Sequence, residues 1–124
     1  MTHKILILDD DSDILFFCTY VFESLGFTVI SSNHCNDIIA QVESSQPDII
    51  LIDNWIPDIG GVKATQQLKA SQHLKHIPVI IFSANSNLPQ LAEEAGADDY
   101  LRKPFDLEEL ESLALKYVNL NKQD

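Results

Sequence analysis

Five positions that directly follow, or closely follow, short apolar runs carry side chains whose types describe one chemistry. Asp9 and Asp10 follow Ile5-Leu6-Ile7-Leu8, and Asp53 follows Ile49-Ile50-Leu51-Ile52. Ser83 and then Ala84 follow Val79-Ile80-Ile81-Phe82, and Lys103, before Pro104, comes just past Tyr100-Leu101 and Arg102. Carboxylates gathered in one pocket repel each other, so either some hold protons or a cation binds among them. Oxygen donors with no His or Cys nearby favour a hard ion, Mg²⁺ or Mn²⁺. Lys103 adds a positive point charge and Ser83 a hydroxyl. An ion, a lysine and a hydroxyl together balance a phosphoryl group, and a carboxylate can accept phosphate covalently. Asp53, opposite the acid pair, is then the nucleophile. Singly these residues have plainer uses: Asp53 can end a strand, and a Ser at a strand end usually bonds nearby backbone. Their joint occurrence, at the ends of four separate apolar runs, carries the signal.

The elements that must bring them together are readable from periodicity. The runs at 5–8, 49–52 and 79–82 are uninterrupted and rich in β-branched residues, the pattern of parallel strands covered on both faces. Phe27-Thr28-Val29-Ile30 and the short Tyr100-Leu101 complete five strands. Between them lie helical patterns. Ile14, Cys18, Val21 and Leu25 repeat at i, i+4, i+7 and i+11, with Asp11 or Ser12 to cap and Gly26 to end. Ile38, Ile39 and Val42 mark a second helix, and Val62 to Ser71 a third. The fourth has Asn87 as N-cap, Pro89 in its first turn and Gly96 past its end. The fifth opens with Asp106 and Glu109 at capping-box spacing and turns Leu107, Leu110, Leu113, Ala114 and Tyr117 inward. This is a (βα)5 alternation, an α/β doubly wound parallel sheet with helices on both faces. Function in such sheets gathers at the carboxyl ends of the strands. The first and third strands, both strongly apolar, are expected to be neighbours, which joins Asp9, Asp10 and Asp53.

Composition narrows the partners. The 124 residues make one domain. Nineteen acids against eight bases give a net charge of −11, and Arg102-Lys103 is the only adjacent basic pair. That balance argues against non-specific binding to nucleic acid or to an anionic membrane. The apolar runs are too short to span a bilayer and no signal-peptide pattern opens the chain, so a cytoplasmic location is the default expectation. Cys18 and Cys35 form neither a disulfide framework nor a metal-ligand spacing; Cys18, at a helical apolar position, reads as a buried thiol. No G-x-G-x-x-G or P-loop follows the first strand.

The chain resembles the receiver domains of two-component response regulators (CheY-like), over nearly its full length. The resemblance rests on Ile5-Leu6-Ile7-Leu8-Asp9-Asp10, on Ile49-Ile50-Leu51-Ile52-Asp53 with Pro57 and Gly61 beyond, on Ile80-Ile81-Phe82-Ser83-Ala84, and on Lys103-Pro104-Phe105. It implies a flavodoxin-like sheet in strand order 2-1-3-4-5. It implies a stand-alone receiver over 1–124, with a core of about 3–118, a polar tail at 119–124 and no output domain. It implies Mg²⁺, with Mn²⁺ as a substitute, held by Asp10, Asp53 and the backbone carbonyl of Trp55, with Asp9 acting through water. Asp53 would take a phosphoryl group from a phosphohistidine on a sensor histidine kinase or a phosphotransfer protein. Lys103 and Ser83, with Ala84 beside it, would meet the phosphoryl oxygens, and the Lys103–Pro104 peptide would be cis. In the implied switch Ser83 moves toward the phosphoryl group and Tyr100 turns inward, so that the face of the fourth helix, fifth strand and fifth helix reports the state to a downstream protein partner. The form would be a monomer or a phosphorylation-dependent dimer.

Some positions depart from the common pattern. Gly60 stands where an acid often precedes the loop glycine. Trp55, two residues past Asp53, is bulky, and either screens the acceptor from water, docks the kinase, or is a plain loop aromatic. It also replaces the second acid that an aspartyl phosphatase would use there, so a turnover enzyme is disfavoured. Of Phe16 and Phe17, one must point away from the core and is a candidate kinase contact. His3, His34, His73 and His76 are read as neither ligands nor bases. The alternative to a phospho-accepting receiver is a phosphorylation-independent interaction module on the same fold.

Overall fold

The computed structural model describes residues 3–121. Strands and helices alternate as β1 (Lys4–Leu8), α1 (Ser12–Ser24), β2 (Thr28–Ser32), α2 (Ile38–Ser45), β3 (Ile49–Asp53), α3 (Gly60–Ala70), β4 (Val79–Ser83), α4 (Leu88–Ala95), β5 (Asp99–Arg102) and α5 (Leu107–Asn121). All four pairings are parallel and the order is β2-β1-β3-β4-β5. β3 and β4 are buried at every residue, which is why their sequences are apolar without alternation.

The pleat divides these strands between two cores. Ile5, Ile7, Leu51 and Phe82 pack against α1 and α5 through Cys18, Phe22, Leu110 and Ala114. Leu6, Leu8, Ile50 and Ile52 face the layer of α2, α3 and α4 through Val42, Leu68 and Leu88. Each fully buried Ile or Leu contributes about 1.5–3 kcal/mol, so the site at the strand ends stands on strands that are buried almost throughout.

The caps follow local chemistry. Asp11 accepts from the N–H groups of Asp13 (2.9 Å) and Ile14 (3.4 Å) and so starts α1. Asp106 and Glu109 exchange reciprocal bonds at 3.2 and 2.8 Å ahead of α5. Lys69 on α3 donates to the carbonyls of Lys75 and Ile77 and to Asp98, whose carboxylate also takes the N–H of Val79. That network fixes where β4 and β5 begin.

Several expectations need correction. Asn87 sits at the start of α4 without a side-chain capping bond; its own N–H donates to Asn85 Oδ1 at 2.8 Å instead. α3 opens at Gly60, two residues early, as the preceding loop runs straight into its first turn. Leu107 is 47% exposed, because Phe105, two residues earlier, takes the inward place between Phe82 and Phe17. Both Phe16 (77%) and Phe17 (37%) are exposed, where one was expected. α5 continues through residues 119–121 of the expected tail; residues 122–124 lie outside those described. Cys18 and Cys35 are buried and free, and burial together with the charge of Asp9 pushes the Cys18 thiol up to about 12. No helix among the described residues is long and apolar enough to cross a membrane.

Candidate functional site

Because β1 lies between β2 and β3, the ends of β1 and β3 meet, and the β3–β4–β5 pairing brings the end of β5 to the same edge. Asp9 (1% exposed) and Asp53 (4%) are buried there. Lys103 Nζ donates to Asp9 Oδ2 at 3.0 Å and to Asp53 Oδ1 at 2.9 Å. The other oxygen of each carboxylate is held by backbone: Asp9 Oδ1 accepts from the Asp11 N–H at 2.8 Å, and Asp53 Oδ2 from the Trp55 N–H at 3.1 Å. The ammonium also lies 4.5 Å from the centre of the Phe82 ring, a cation–π contact within a mostly apolar wall.

Burial raises the Asp9 carboxyl above its ordinary range, and the nearby Asp53 charge adds to this; the Asp11 N–H and Lys103 oppose it. Burial by itself would lower Lys103, but its bonds to Asp53 and Asp9 and their charges outweigh that and raise it. Lys103 is therefore firmly protonated and one ammonium serves two buried acids. Asp10 is exposed, and Asp9, Asp10 and Asp53 can each bring an oxygen within 4.8 Å of the others. Fully ionised, three carboxylates and one ammonium sum to −2, the charge that one divalent cation cancels. The donors are all oxygen, so the residues present fit Mg²⁺.

Ser83 is 1% exposed. Its Oγ accepts from the Asn85 N–H at 3.0 Å, and its carbonyl accepts from the Lys103 N–H at 3.0 Å. Hydroxyl and ammonium are thus tied to adjacent strand ends. The Lys103–Pro104 peptide is cis. Ala84 is exposed and, with Ile14, Phe17, Pro104 and Phe105, lines an apolar groove of about 370 Å³ that reaches Lys103. Tyr100 is 41% exposed and the Trp55 side chain 72% exposed. Gly61 has a positional reason that spacing alone did not show: a Cβ there would stand 2.6 Å from the Asp53 carbonyl oxygen. His34, just beyond β2, pairs with Asp58 at 3.9 Å, and His73 with Glu43 at 2.7 Å; neither joins the aspartate group. Sequence reading missed Asn85, whose N–H holds the Ser83 hydroxyl; an Asn two residues past a strand end is the signal that was there.

Residues 5–115 match the response regulator receiver domain family. The chain belongs to this family. It is 31% identical over 106 residues to the CAI-1 autoinducer sensor kinase/phosphatase CqsS of Vibrio cholerae, covering 83% of this chain and 16% of that protein. It is 34% identical over 108 residues to the DNA-binding transcriptional regulator NtrC of Proteus hauseri, covering 86% and 22%. The chain spans less than half the length of these curated relatives. The receiver domain of sensor histidine kinase PA1611 from Pseudomonas aeruginosa, solved with a magnesium ion in its active site cleft, superposes with a TM-score of 0.87 at 26% identity, over 96% of this chain and 99% of that one.

Lys103 and a divalent cation answer to the same carboxylates. Lys103→Ala should therefore bind Mg²⁺ about tenfold more tightly than the wild-type domain, from roughly 1–2 kcal/mol of relieved repulsion. Titration of the Trp55 fluorescence measures this, and unchanged affinity would separate the lysine from the cation site.

Proposed function

We propose that this receiver domain accepts a phosphoryl group on Asp53 from the phosphohistidine of a sensor histidine kinase or a phosphotransfer protein. Asp10, Asp53 and the Trp55 carbonyl would hold Mg²⁺, or Mn²⁺ in its place, with Asp9 acting through water. The cation supplies charge neutralisation at the phosphoryl oxygens. An oxygen of Asp53 attacks phosphorus, the phosphorus–nitrogen bond of the donor breaks, and the electron pair returns to the imidazole, which keeps or takes a proton. Lys103, already at Asp53, moves its bond to a phosphoryl oxygen, and Ser83 presents its hydroxyl to another. The acyl phosphate is then a product held on the protein.

The observation that carries this reading is the doubly shared lysine: two buried carboxylates at adjacent strand ends, held by one ammonium, with a third carboxylate in reach. A structural ion pair has no use for the surplus negative charge. The new charge would then shift the balance between two packings of the α4–β5–α5 face, with Ser83 moving in and Tyr100 turning from its half-exposed position. A downstream protein would read that face.

Intact-mass measurement after incubation with acetyl phosphate tests the acceptor. A single phosphoryl adduct is expected that requires Mg²⁺ and disappears in Asp53→Asn. No adduct from either acetyl phosphate or a phosphohistidine donor would shift the reading to a phosphorylation-independent interaction module. The same spectra followed over time test the Trp55 side chain as a screen against water: Trp55→Asn should lose the group several-fold faster, and an equal rate would remove that role.

A further inference from the structure

Arg102 is the last residue of β5, opposite Ser83 in the β4–β5 register. Its main chain is therefore fixed by the sheet. Its side chain is not spent on an ion pair: among the described residues no carboxylate pairs with it. Instead Nη1 donates to the backbone carbonyl of Asn85 at 3.1 Å. In a chain with 19 acids and eight bases, a guanidinium bonded to a neutral carbonyl is conspicuous.

Asn85 is the joint of the β4–α4 loop. Its N–H holds Ser83 Oγ at 3.0 Å, its Oδ1 takes the Asn87 N–H at 2.8 Å, and its carbonyl accepts the Leu88 N–H at 3.2 Å as well as Arg102. Any movement of Ser83 toward a phosphoryl group on Asp53 drags the Ser83–Asn85 segment with it. The Arg102 bond then stretches or breaks, because one end rides on the loop and the other on the sheet. A charge-assisted bond made in one arrangement and lost in the other biases the equilibrium toward the first.

We propose that Arg102 is a positioning residue that latches the β4–α4 loop in its unphosphorylated arrangement and so sets how much phosphoryl binding is needed to switch the domain. This rests on the aspartyl-phosphate reading above. It also reverses the simplest electrostatic expectation. A cation near the site should attract a phosphoryl group, so removing it should weaken anion binding. A latch has the opposite sign: its removal lowers the cost of the loop movement and tightens binding.

The test is a titration with beryllofluoride, an anionic phosphoryl analogue, at saturating Mg²⁺, read by the fluorescence of Trp55, the only tryptophan. Arg102→Ala should bind about three- to tenfold more tightly than wild type, the range an ordinary solvent-exposed hydrogen bond supports. Arg102→Lys, which keeps a donor on a long stem, should fall back toward wild type. Mg²⁺ affinity measured without beryllofluoride should stay within about threefold, because the aspartates are untouched. Equal or weaker beryllofluoride binding by Arg102→Ala overturns the latch. A wild-type domain with no response to beryllofluoride, or one whose response survives Asp53→Asn, overturns the aspartyl-phosphate reading on which it rests.

Discussion

Two carboxylates buried side by side are the constraint to which the rest of this domain answers. Taking a charged carboxylate out of water costs several kcal/mol unless a counter-charge and hydrogen bonds replace the lost hydration. Asp9 and Asp53 receive a backbone N–H each and share one ammonium. The remedy is partial, since burial and mutual repulsion still leave Asp9 raised. The site is therefore not a settled salt bridge. It is a negatively charged pocket with a retained cation on one side and Asp10 open to solvent on the other, where a divalent ion and an anionic group can complete it.

The surrounding fold makes such a pocket possible. β1, β3 and β4 are nearly dry strands packed on both faces, so their ends cannot drift apart to relieve the repulsion. Gly61 lets the start of α3 lie against the Asp53 carbonyl. Phe82 and Phe105 wall the Lys103 side. Beyond the acceptor, Ser83 hands over to a loop whose hydrogen bonds converge on Asn85, and Arg102 and Tyr100 lie exposed on the edge strand. A buried acceptor beside a loop joined at one residue is an arrangement in which one covalent charge can move a surface.

Much of this was readable from residue types. Uninterrupted β-branched runs announced central parallel strands, and the acids just after two of them, with Lys103, gather at one edge of the sheet. The apolar pattern of strands one and three gave their adjacency. What stayed hidden depended on geometry at the element ends. Leu107 and Phe105 compete for one inward place, and periodicity cannot say which side chain arrives first. Asn87 has the right type for a cap, yet Asn85 supplies the loop's side-chain acceptor. Arg102 reads as half of a basic pair with Lys103, but its guanidinium goes to the Asn85 carbonyl while the Lys103 ammonium goes to Asp9 and Asp53.

The most direct measurement is the thermal unfolding midpoint as a function of Mg²⁺ for the wild-type domain beside Asp53→Asn. If the buried carboxylates form an incomplete cation site, Mg²⁺ at about ten times its Kd raises the wild-type midpoint by roughly 4–8 °C, and the shift falls to less than half in Asp53→Asn. A wild-type midpoint that ignores Mg²⁺, or an equal rise in both proteins, would contradict a cation site built on Asp53.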